Sequence, residues 1–428
     1  MKRIEPAQRI HGKLSLPGDK SISHRAALLG AVCQEGISVR NFSDGADCAA
    51  TLSCLEQAGA VVELSGATLS VSAPTGLRSP KGALDAGNSG TTARTLCGLL
   101  AGHPGVRARI TGDESLSKRP MMRVVNPLRS MGASIGGPTD GMRLPVEVLG
   151  GRLKGATHVM ETASAQVKTA ILLAGLGADE PTTVVEPLPT RNHTERMLAH
   201  LGAALYLDGS AITIAPSRPL KGGEWTIPGD FSSAAFWIVA AAILPDSSVS
   251  LPGTGLNPTR TGLLRVLERM GLACTVEQEG LRGGEPAGTI TVHSSHLRAA
   301  EIHPSEIPLM IDELPILAVA ATQAEGVTEL HGAMELRFKE CDRIVAVARG
   351  LSALGADITE LEDGWRIAGP VKLKGGRVSA MGDHRVAMAL AVAALTAEST
   401  VEIEDPECVN ISYPGFFETL DMLAGRSA

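Results

Sequence analysis

Apolar and polar positions along this chain follow a pattern that recurs six times. Each copy contains a helical stretch whose last apolar turn ends in glycine, and in all but the weakest copy alternating residues that predict a strand come next. The six helix ends lie at 55–60, 128–133, 198–203, 267–272, 351–356 and, in a weaker form, 420–425. Their spacing of about 70–85 residues is longer than that of a solenoid repeat.

A second helix precedes each of these six, and it begins with small polar residues and continues with alanine and leucine. The starts lie at 20–21, 87–91, 164–166, 229–233, 312–315 and 382–385. A body such as 236–243 is apolar on all sides, which is typical of a helix buried inside a domain. We therefore expect an α/β fold of six units, grouped as two lobes of three because a single core would be oversized.

Composition narrows the class of protein. The chain has 428 residues, enough for two or three domains, and a net charge of −7, so clusters of lysine and arginine indicate local sites rather than a basic surface. Aromatic residues make up only 3%, which leaves few stacking platforms and disfavours nucleic acid as a partner. The seven cysteines are scattered without a CxxC pair, which indicates reduced thiols and no structural zinc.

The sequence also predicts where the protein resides. The longest apolar run, 234–244, is too short to span a bilayer, and the N-terminal residues contain no apolar signal-like run. We expect a cytoplasmic protein that does not enter membranes.

The segment 17–25 predicts a site for an anion. An alternating strand at 13–16 leads into the Pro17-Gly18 break, and a helix then begins that carries Lys20 and Arg25 near its N-terminus. These cations oppose the helix dipole by a few tenths to about 1 kcal/mol each, whereas a bound anion would reverse the sign. The alternative is an ordinary solvated basic face.

Further charged residues stand in short motifs along the chain. The cations are Arg119, Arg191, Lys339, Arg343 and Arg385, and the carboxylates are Asp312 and Glu340. Taken alone, Asp312 could be a helix N-cap and Glu340 could form an i,i+3 ion pair. The glycine-rich segment 87–92 is either a capped turn or a loop whose N–H groups approach a ligand.

In order and spacing, these motifs together resemble the enolpyruvyltransferase family, and within it the members that act on 3-phosphoshikimate. The resemblance runs from about residue 10 to residue 425 and rests on segments 18–25, 87–91, 118–120, 164–168, 312–315, 339–343 and 382–385. It implies six βαβαββ units with the helices buried inside each lobe, an inside-out α/β barrel. The first lobe would be 17–228 and the second 1–16 plus 229–428, with two crossings between them.

The resemblance also implies an activity. The enolpyruvyl group of phosphoenolpyruvate would pass to the 5-hydroxyl of 3-phosphoshikimate with release of phosphate, a step of the shikimate pathway to chorismate and the aromatic amino acids. Members need no metal and no organic cofactor. The partners would be these two small anionic substrates, and we expect a monomer.

Roles carry over position by position. Phosphoshikimate contacts implied by the resemblance are Lys20, Ser21, Arg25, Ser164, Ala165, Gln166, Arg191, Asp312 and Lys339. Those implied for phosphoenolpyruvate are Lys20, Asn88, Gly90, Arg119, Gln166, Glu340, Arg343 and Arg385. Asp312 resembles the base that takes the hydroxyl proton, and either Glu340 or Lys20 would protonate the methylene carbon.

Some positions depart from the pattern of other members. Ile411 stands where some have a lysine that contacts phosphoenolpyruvate, and Ala165 and Arg191 replace a serine and a tyrosine. The last two are typical of a bacterial branch in which glyphosate-tolerant members occur. Tolerance there accompanies alanine at the position of Gly90, so the glycine here predicts a glyphosate target.

Two other functions remain possible from the residues. One is the related transfer to UDP-N-acetylglucosamine, which commonly uses a loop cysteine as acid. No cysteine here lies in an evident flexible, cation-rich loop. The other is a non-catalytic anion-binding protein, disfavoured because carboxylates such as Asp312 and Glu340 would only repel its ligand.

Overall fold

The computed structural model describes residues 1–217 and 219–426. Its α-helices are α1 Lys20–Gly30, α2 Ala46–Gln57, α3 Gly90–Ala101, α4 Glu114–Lys118, α5 Met122–Ser130, α6 Ala165–Gly175, α7 His193–His200, α8 Phe231–Ile243, α9 Gly262–Arg269, α10 Leu314–Thr322, α11 Arg343–Ala353, α12 His384–Leu395 and α13 Phe416–Leu423. Short 3₁₀ helices occupy Pro304–Leu309, Met334–Phe338 and Pro406–Ile411.

The strands are short, as expected for a chain rich in glycine turns. They are β1 Lys2–Ile4, β2 His11–Lys13, β3 Ile37–Arg40, β4 Val61–Ser65, β5 Thr68–Ser72, β6 Leu84–Asp85, β7 Arg107–Thr111, β8 Ser134–Gly136, β9 Val146–Leu149, β10 Thr157–Val159, β11 Thr182–Val185, β12 Leu205–Asp208, β13 Ala211–Ile214, β14 Gly223–Thr226, β15 Ser248–Gly255, β16 Ala273–Arg282, β17 Glu285–His293, β18 Gly326–Leu330, β19 Asp357–Glu360, β20 Trp365–Gly369, β21 Gly376–Ser379 and β22 Val401–Glu404.

The chain forms two compact units. Unit 1 consists of Met1–Pro17, Pro228–Gly280 and Pro286–Ala428, and unit 2 consists of Gly18–Ile227 with Leu281–Glu285. Unit 1 is therefore discontinuous, because its first segment precedes the whole of unit 2 in sequence.

The strands of the described ranges form six small sheets, of which four have four strands and two have three. In the order β6-β7-β9-β8, the first two strands are parallel, and β7 and β8 each pair antiparallel with β9. The order β10-β11-β13-β12 repeats this plan. A helix connects each parallel pair and a second helix leads to the antiparallel pair, so the predicted βαβαββ repeat is confirmed for these units.

The N-terminal strand pairs far along the chain. β2 runs parallel to β15, with His11 opposite Ser248, while β14 takes the corresponding place beside β3. The strand predicted at 13–16 lies at His11–Lys13 instead. Leu14 still donates its N–H to Ser250, and the chain then leaves the ladder before Pro17, which has no N–H to donate.

The helices with polar starts lie inside the units, as predicted. In unit 1 every residue of α10 and α12 is buried, and α8 is buried along all but its last residue. In unit 2, α3 and α6 cross so closely that a Cβ atom on Gly98 would lie 2.0 Å from the Ala170 carbonyl oxygen. Glycine permits this approach because it has no side chain.

The predicted glycine stops are present at the ends of the other helices. Gly59 and Gly355, for example, have φ angles of +97° and +85°, the left-handed conformation that glycine adopts without strain. Across 1–217 and 219–426, none of the helices combines the length and apolar character needed to cross a bilayer.

Candidate active site

Unit 2 begins with the predicted strand-to-helix turn. Gly18 has to be glycine, because a Cβ atom there would lie 1.7 Å from the Asn41 carbonyl oxygen. Asp19 caps α1 by accepting the N–H of Ile22 at 2.9 Å. Lys20 is the first residue of the helix, and its Nζ lies 2.9 Å from Asp47 Oδ2. A carboxylate therefore offsets this cation at the helix N-terminus.

Arg25 is buried within unit 2, so it is not part of a solvated basic face. Its Nε donates to Thr194 Oγ1 and its Nη2 to Thr169 Oγ1, both at 2.7 Å, and Nη1 donates to the Ser21 carbonyl. Burial lowers the pKa of Arg25 to about 10, against the opposing effect of Glu195 and Asp19. The guanidinium is held in one orientation by neutral oxygens, which leaves its positive charge available to an anion.

Asn88, Gly90 and Arg119 lie together at the start of α3. Arg119 Nη2 donates to Asn88 Oδ1 at 2.6 Å, and Asn88 in turn donates to Asp113. Ser89 caps α3 by accepting the Thr92 N–H. A Cβ atom on Gly90 would lie 3.6 Å from Arg119 Nη1, so the glycine leaves room beside this guanidinium.

Gln166 connects α6 to α3. Its Oε1 accepts from Arg94 Nη1 at 2.5 Å, and its Nε2 donates to Thr91 Oγ1 at 3.0 Å. Ser164 caps α6, and the Ala165 carbonyl that follows accepts from Thr169, one of the partners of Arg25. These contacts bring the α6 residues predicted for the site into one network with α3 and with Arg25.

Unit 1 holds the carboxylates. Asp312 is not an N-cap, because α10 begins at Leu314 and the capping position is Glu313. Its Oδ1 lies 3.1 Å from Arg343 Nη1 and 3.7 Å from Lys339 Nζ. Arg385 lies 3.7 Å from the other oxygen of Asp312. Three predicted cations therefore surround this one carboxylate.

Glu340 pairs with Arg343 across three residues, at 2.6 Å, but it precedes α11 instead of lying within the helix. Arg343 also donates through Nε to Asp383 at 2.7 Å. Burial lowers the pKa of Arg343, yet Asp383, Glu340 and Asp312 together raise it above its ordinary value. The side chains of Asp312 and Glu340 are 13% and 18% exposed, so both are reachable by a small ligand.

Cys341 stands among these cations, in the short stretch between Lys339 and Arg343, so one cysteine does lie in a cation-rich segment. Its thiol lies 3.9 Å from Asp383 Oδ2, and burial raises its pKa. A half-buried thiol next to a carboxylate stays protonated and is a poor nucleophile.

Several residues of these networks are absent from the sequence prediction: Asp47, Arg94, Thr91, Thr169, Thr194 and Asp383. Asp383 could have been found, because it precedes Arg385 in a motif that was singled out. Thr91 likewise belongs to the glycine-rich segment 87–92. The other four are ordinary residues in helical stretches, and only their distant partners reveal their part in the site.

Comparisons with known proteins identify the relatives of this chain. The family model described as EPSP synthase (3-phosphoshikimate 1-carboxyvinyltransferase) matches residues 4–420. A protein named 3-phosphoshikimate 1-carboxyvinyltransferase from Desulforudis audaxviator is 49% identical over 424 residues, which cover 98% of this chain and 99% of that protein. The protein of the same name from Bacillus subtilis is 45% identical over 430 residues and covers both chains fully.

Solved structures agree with these relatives. An EPSP synthase structure from Acinetobacter baumannii has a TM-score of 0.88 and 40% identity, covering 99% of this chain and 98% of that chain. The enolpyruvyl transferase NikO from Streptomyces tendae has a TM-score of 0.81 at 21% identity, covering 98% and 96%. The predicted α/β enolpyruvyltransferase fold is thereby confirmed.

Proposed function

The chain belongs to the EPSP synthase family, and from this membership we propose that it transfers the enolpyruvyl group of phosphoenolpyruvate to the 5-hydroxyl of 3-phosphoshikimate. The observation that supports this most directly is the arrangement around Arg343. One buried guanidinium holds Asp312 at 3.1 Å and Glu340 at 2.6 Å, and both carboxylates are partly exposed. Addition across the enol double bond needs one group to take a proton and another to give one.

The steps of the reaction assign roles to these groups. Asp312 takes the proton of the 5-hydroxyl as its oxygen attacks the enol carbon of phosphoenolpyruvate. Glu340 or Lys20 delivers a proton to the methylene carbon, which completes a tetrahedral adduct. Loss of a methyl proton and of phosphate then forms the enolpyruvyl product. The cations balance the charges of the two substrates through these steps.

The substrate contacts predicted from the resemblance remain proposals for each residue. For phosphoshikimate they are Lys20, Ser21, Arg25, Ser164, Ala165, Gln166, Arg191, Asp312 and Lys339. For phosphoenolpyruvate they are Lys20, Asn88, Gly90, Arg119, Gln166, Glu340, Arg343 and Arg385. The buried, fixed guanidinium groups of Arg25 and Arg343 support this assignment, because such groups suit carboxylate and phosphate oxygens.

The test is phosphate release from phosphoenolpyruvate, with 3-phosphoshikimate and separately with UDP-N-acetylglucosamine as acceptor. We expect phosphate to be released when phosphoshikimate is the acceptor and not when UDP-N-acetylglucosamine is. In the Asp312→Ala variant kcat falls about 10²–10⁴-fold, since the attacking hydroxyl loses its base. Asp421→Ala, which removes a carboxylate paired with Lys2 elsewhere in unit 1, is the matched control and keeps its activity.

Other outcomes would contradict the proposal. Phosphate release with UDP-N-acetylglucosamine but not with phosphoshikimate would assign the enolpyruvyl transfer to UDP-N-acetylglucosamine instead. Binding of phosphoshikimate without release would leave a non-catalytic anion-binding protein. A kcat of Asp312→Ala equal to that of the control would remove Asp312 from the role of base.

The remaining expectations concern the protein as a whole. We retain as predictions that it is a cytoplasmic monomer that needs no cofactor, and that its lobes are 17–228 and 1–16 with 229–428. Sedimentation of the purified protein at micromolar concentration tests the monomer, and full activity after exhaustive dialysis against chelator tests independence from metal.

A further inference from the structure

Unit 2 buries a cluster of three charges to which the proposed function gives no role. The Lys168 side chain is 0% exposed, and its Nζ lies 2.9 Å from Glu186 Oε2 and 2.7 Å from Glu195 Oε1. Both carboxylates are buried as well. Apolar residues can often replace such a buried ionic group without loss of stability, so stability alone does not account for it.

Lys168 connects three elements of unit 2. It lies on α6, Glu186 directly follows β11, and Glu195 lies in the first turn of α7. The segment 186–195, which contains the loop between β11 and α7, is therefore bonded to α6 at both of its ends. Thr190 in this loop also donates its hydroxyl to Glu186, and Arg191 is the next residue. The position of Arg191 thus depends on the contacts of Lys168.

The same contacts affect Arg25. Thr169, next to Lys168, and Thr194, next to Glu195, each bond the Arg25 guanidinium at 2.7 Å. Their hydroxyl oxygens also lie 2.6 Å from each other. The packing of α6 against α7 that Lys168 fixes is therefore the packing that orients Arg25.

The charges of the cluster are unequal, because two carboxylates face one ammonium group. Among the charged neighbours of Arg25, Glu195 has the largest effect in raising its pKa, which opposes the effect of burial. Glu195 Oε2 is buried and has no hydrogen-bond partner among the described residues, whereas Oε1 is held by Lys168. A carboxylate released toward Arg25 or Arg191 would compete with a substrate phosphate for them.

We propose that Lys168 is a positioning residue for phosphoshikimate binding. It fixes the loop that bears Arg191 and keeps the Glu195 carboxylate from pairing with the guanidinium groups that meet the substrate. This inference rests on the proposed function, in which Arg25 and Arg191 bind phosphoshikimate.

The Lys168→Met variant tests it, since methionine fills similar space without a charge. The expected result is a rise of roughly tenfold or more in the KM for phosphoshikimate, with kcat and the KM for phosphoenolpyruvate within about threefold of wild type. The dissociation constant for phosphoshikimate, measured by calorimetry without phosphoenolpyruvate, rises by the same factor.

A double variant distinguishes the loss of the Lys168 charge from a packing defect at its position. If Glu195 competes with the substrate once Lys168 is gone, then Lys168→Met/Glu195→Gln recovers most of the lost affinity. A gap in the packing would not be repaired by this change. Glu195→Gln alone, in which the amide oxygen still accepts from Lys168, gives a KM for phosphoshikimate at or below the wild-type value.

Arg129→Met is the matched control. Arg129 is another cation of unit 2 that bonds a carboxylate, Asp140, and a backbone carbonyl, and it has no part in the proposed site. Its loss lowers the unfolding midpoint and leaves the KM for phosphoshikimate unchanged.

Each result decides between the two proposals. Wild-type protein that does not bind phosphoshikimate contradicts the proposed function itself. Wild-type binding with an unchanged KM in Lys168→Met, or a double variant no better than the single one, overturns the role of Lys168. Should Lys168→Met not fold, Glu195→Gln decides alone, and a raised KM for phosphoshikimate would refute the inference.

Discussion

Gly90 begins α3 at a point where added volume would meet two cations. A Cβ atom there would lie 3.1 Å from Arg94 Nη1 and 3.6 Å from Arg119 Nη1. Both atoms are the far ends of flexible side chains, so the fold tolerates a methyl group while the space beside the guanidinium groups shrinks. A ligand longer than phosphoenolpyruvate loses more from this than the substrate does.

We therefore expect Gly90→Ala to be inhibited by glyphosate much less than wild type, by roughly tenfold or more in the half-inhibitory concentration. The KM for phosphoenolpyruvate rises by a smaller factor. Inhibition curves at fixed phosphoenolpyruvate measure both effects. Gly82→Ala, where a Cβ atom meets nothing within 4 Å, is the control. Equal inhibition of the Gly90 variant and the control would contradict the prediction.

His24 makes stability depend on pH. Burial, with the nearby charges of Lys20 and Arg25, lowers its pKa well below its ordinary value of 6.5, and its Nδ1 lies 2.7 Å from Thr51 Oγ1. Below pH 6.5 His24 binds a proton in the unfolded chain but not in the folded state. The stability present above this pH is therefore lost as the pH falls, by at most about 1.4 kcal/mol per pH unit.

In the His24→Asn variant this part of the acid sensitivity is absent. Between pH 7.5 and pH 5.5, its unfolding midpoint in urea falls less than that of wild type. His296→Asn, which changes an exposed ring, behaves like wild type and serves as control. Parallel losses in wild type and His24→Asn would show that His24 accepts its proton in the folded state.

At the scale of elements, close packing fixes the distance between α3 and α6. Gly98 faces the Ala170 carbonyl, where a Cβ atom would lie only 2.0 Å away. Gly98→Ala must push the helices apart, at a cost of about 1–3 kcal/mol or more. It would also stretch the 2.5 Å contact between Arg94 and Gln166. We expect a lower thermal midpoint together with a higher KM for phosphoenolpyruvate.

A matched change shows whether proximity is the cause. Gly136→Ala adds the same methyl group in unit 2 where nothing lies within 4 Å. Its midpoint and KM stay near wild type. If both variants lost the same stability, the loss would reflect the glycine-to-alanine change itself and not the helix crossing.

Elements were predictable from the sequence where the signal is local. Glycine at 59 and 355 ends a helix because of its own backbone freedom, and its neighbours show the pattern. The partners of the site residues were not predictable. Arg25 bonds Thr169 and Thr194, which lie 144 and 169 residues further along the chain. Nothing near a threonine in sequence indicates which cation it will meet after folding.

The same limit applied to Asp312. Its position before an apolar helix equally suited an N-cap, and only the fold brings it to Arg343, 31 residues away. Resemblance to a family supplied what local chemistry could not, since a known fold already contains such distant contacts.

At the scale of the whole molecule, residues at the start of the chain belong to the core of unit 1. Ile10 is 1% exposed and packs in the apolar core that contains α8, α10 and α12. Ile10→Ala leaves a cavity there and costs about 2–5 kcal/mol. The loss is expected in unit 1, although residues 18–227 of unit 2 follow it in sequence.

Hydrogen exchange followed by mass spectrometry locates the effect. Peptides from 228–280 and 286–426 lose protection in Ile10→Ala, while those from 18–227 keep theirs. Leu172→Ala, which makes a similar change in the core of unit 2, gives the opposite distribution. Uniform loss in both variants would mean that the chain unfolds as a single cooperative body.

The late pairing of the N-terminal strand also has a consequence for synthesis on the ribosome. Lys2 of β1 pairs with Ile403 of β22, so the first strand to emerge waits for one of the last. At the usual 5–20 residues per second, that wait lasts about 20–80 s. Through this time the nascent chain presents an unpaired strand edge and the apolar Ile4 and Ile10, while unit 2 can already be completing its own core. We therefore expect chaperones to bind the nascent chain chiefly at its N-terminal segment, which carries β1, Ile4 and Ile10.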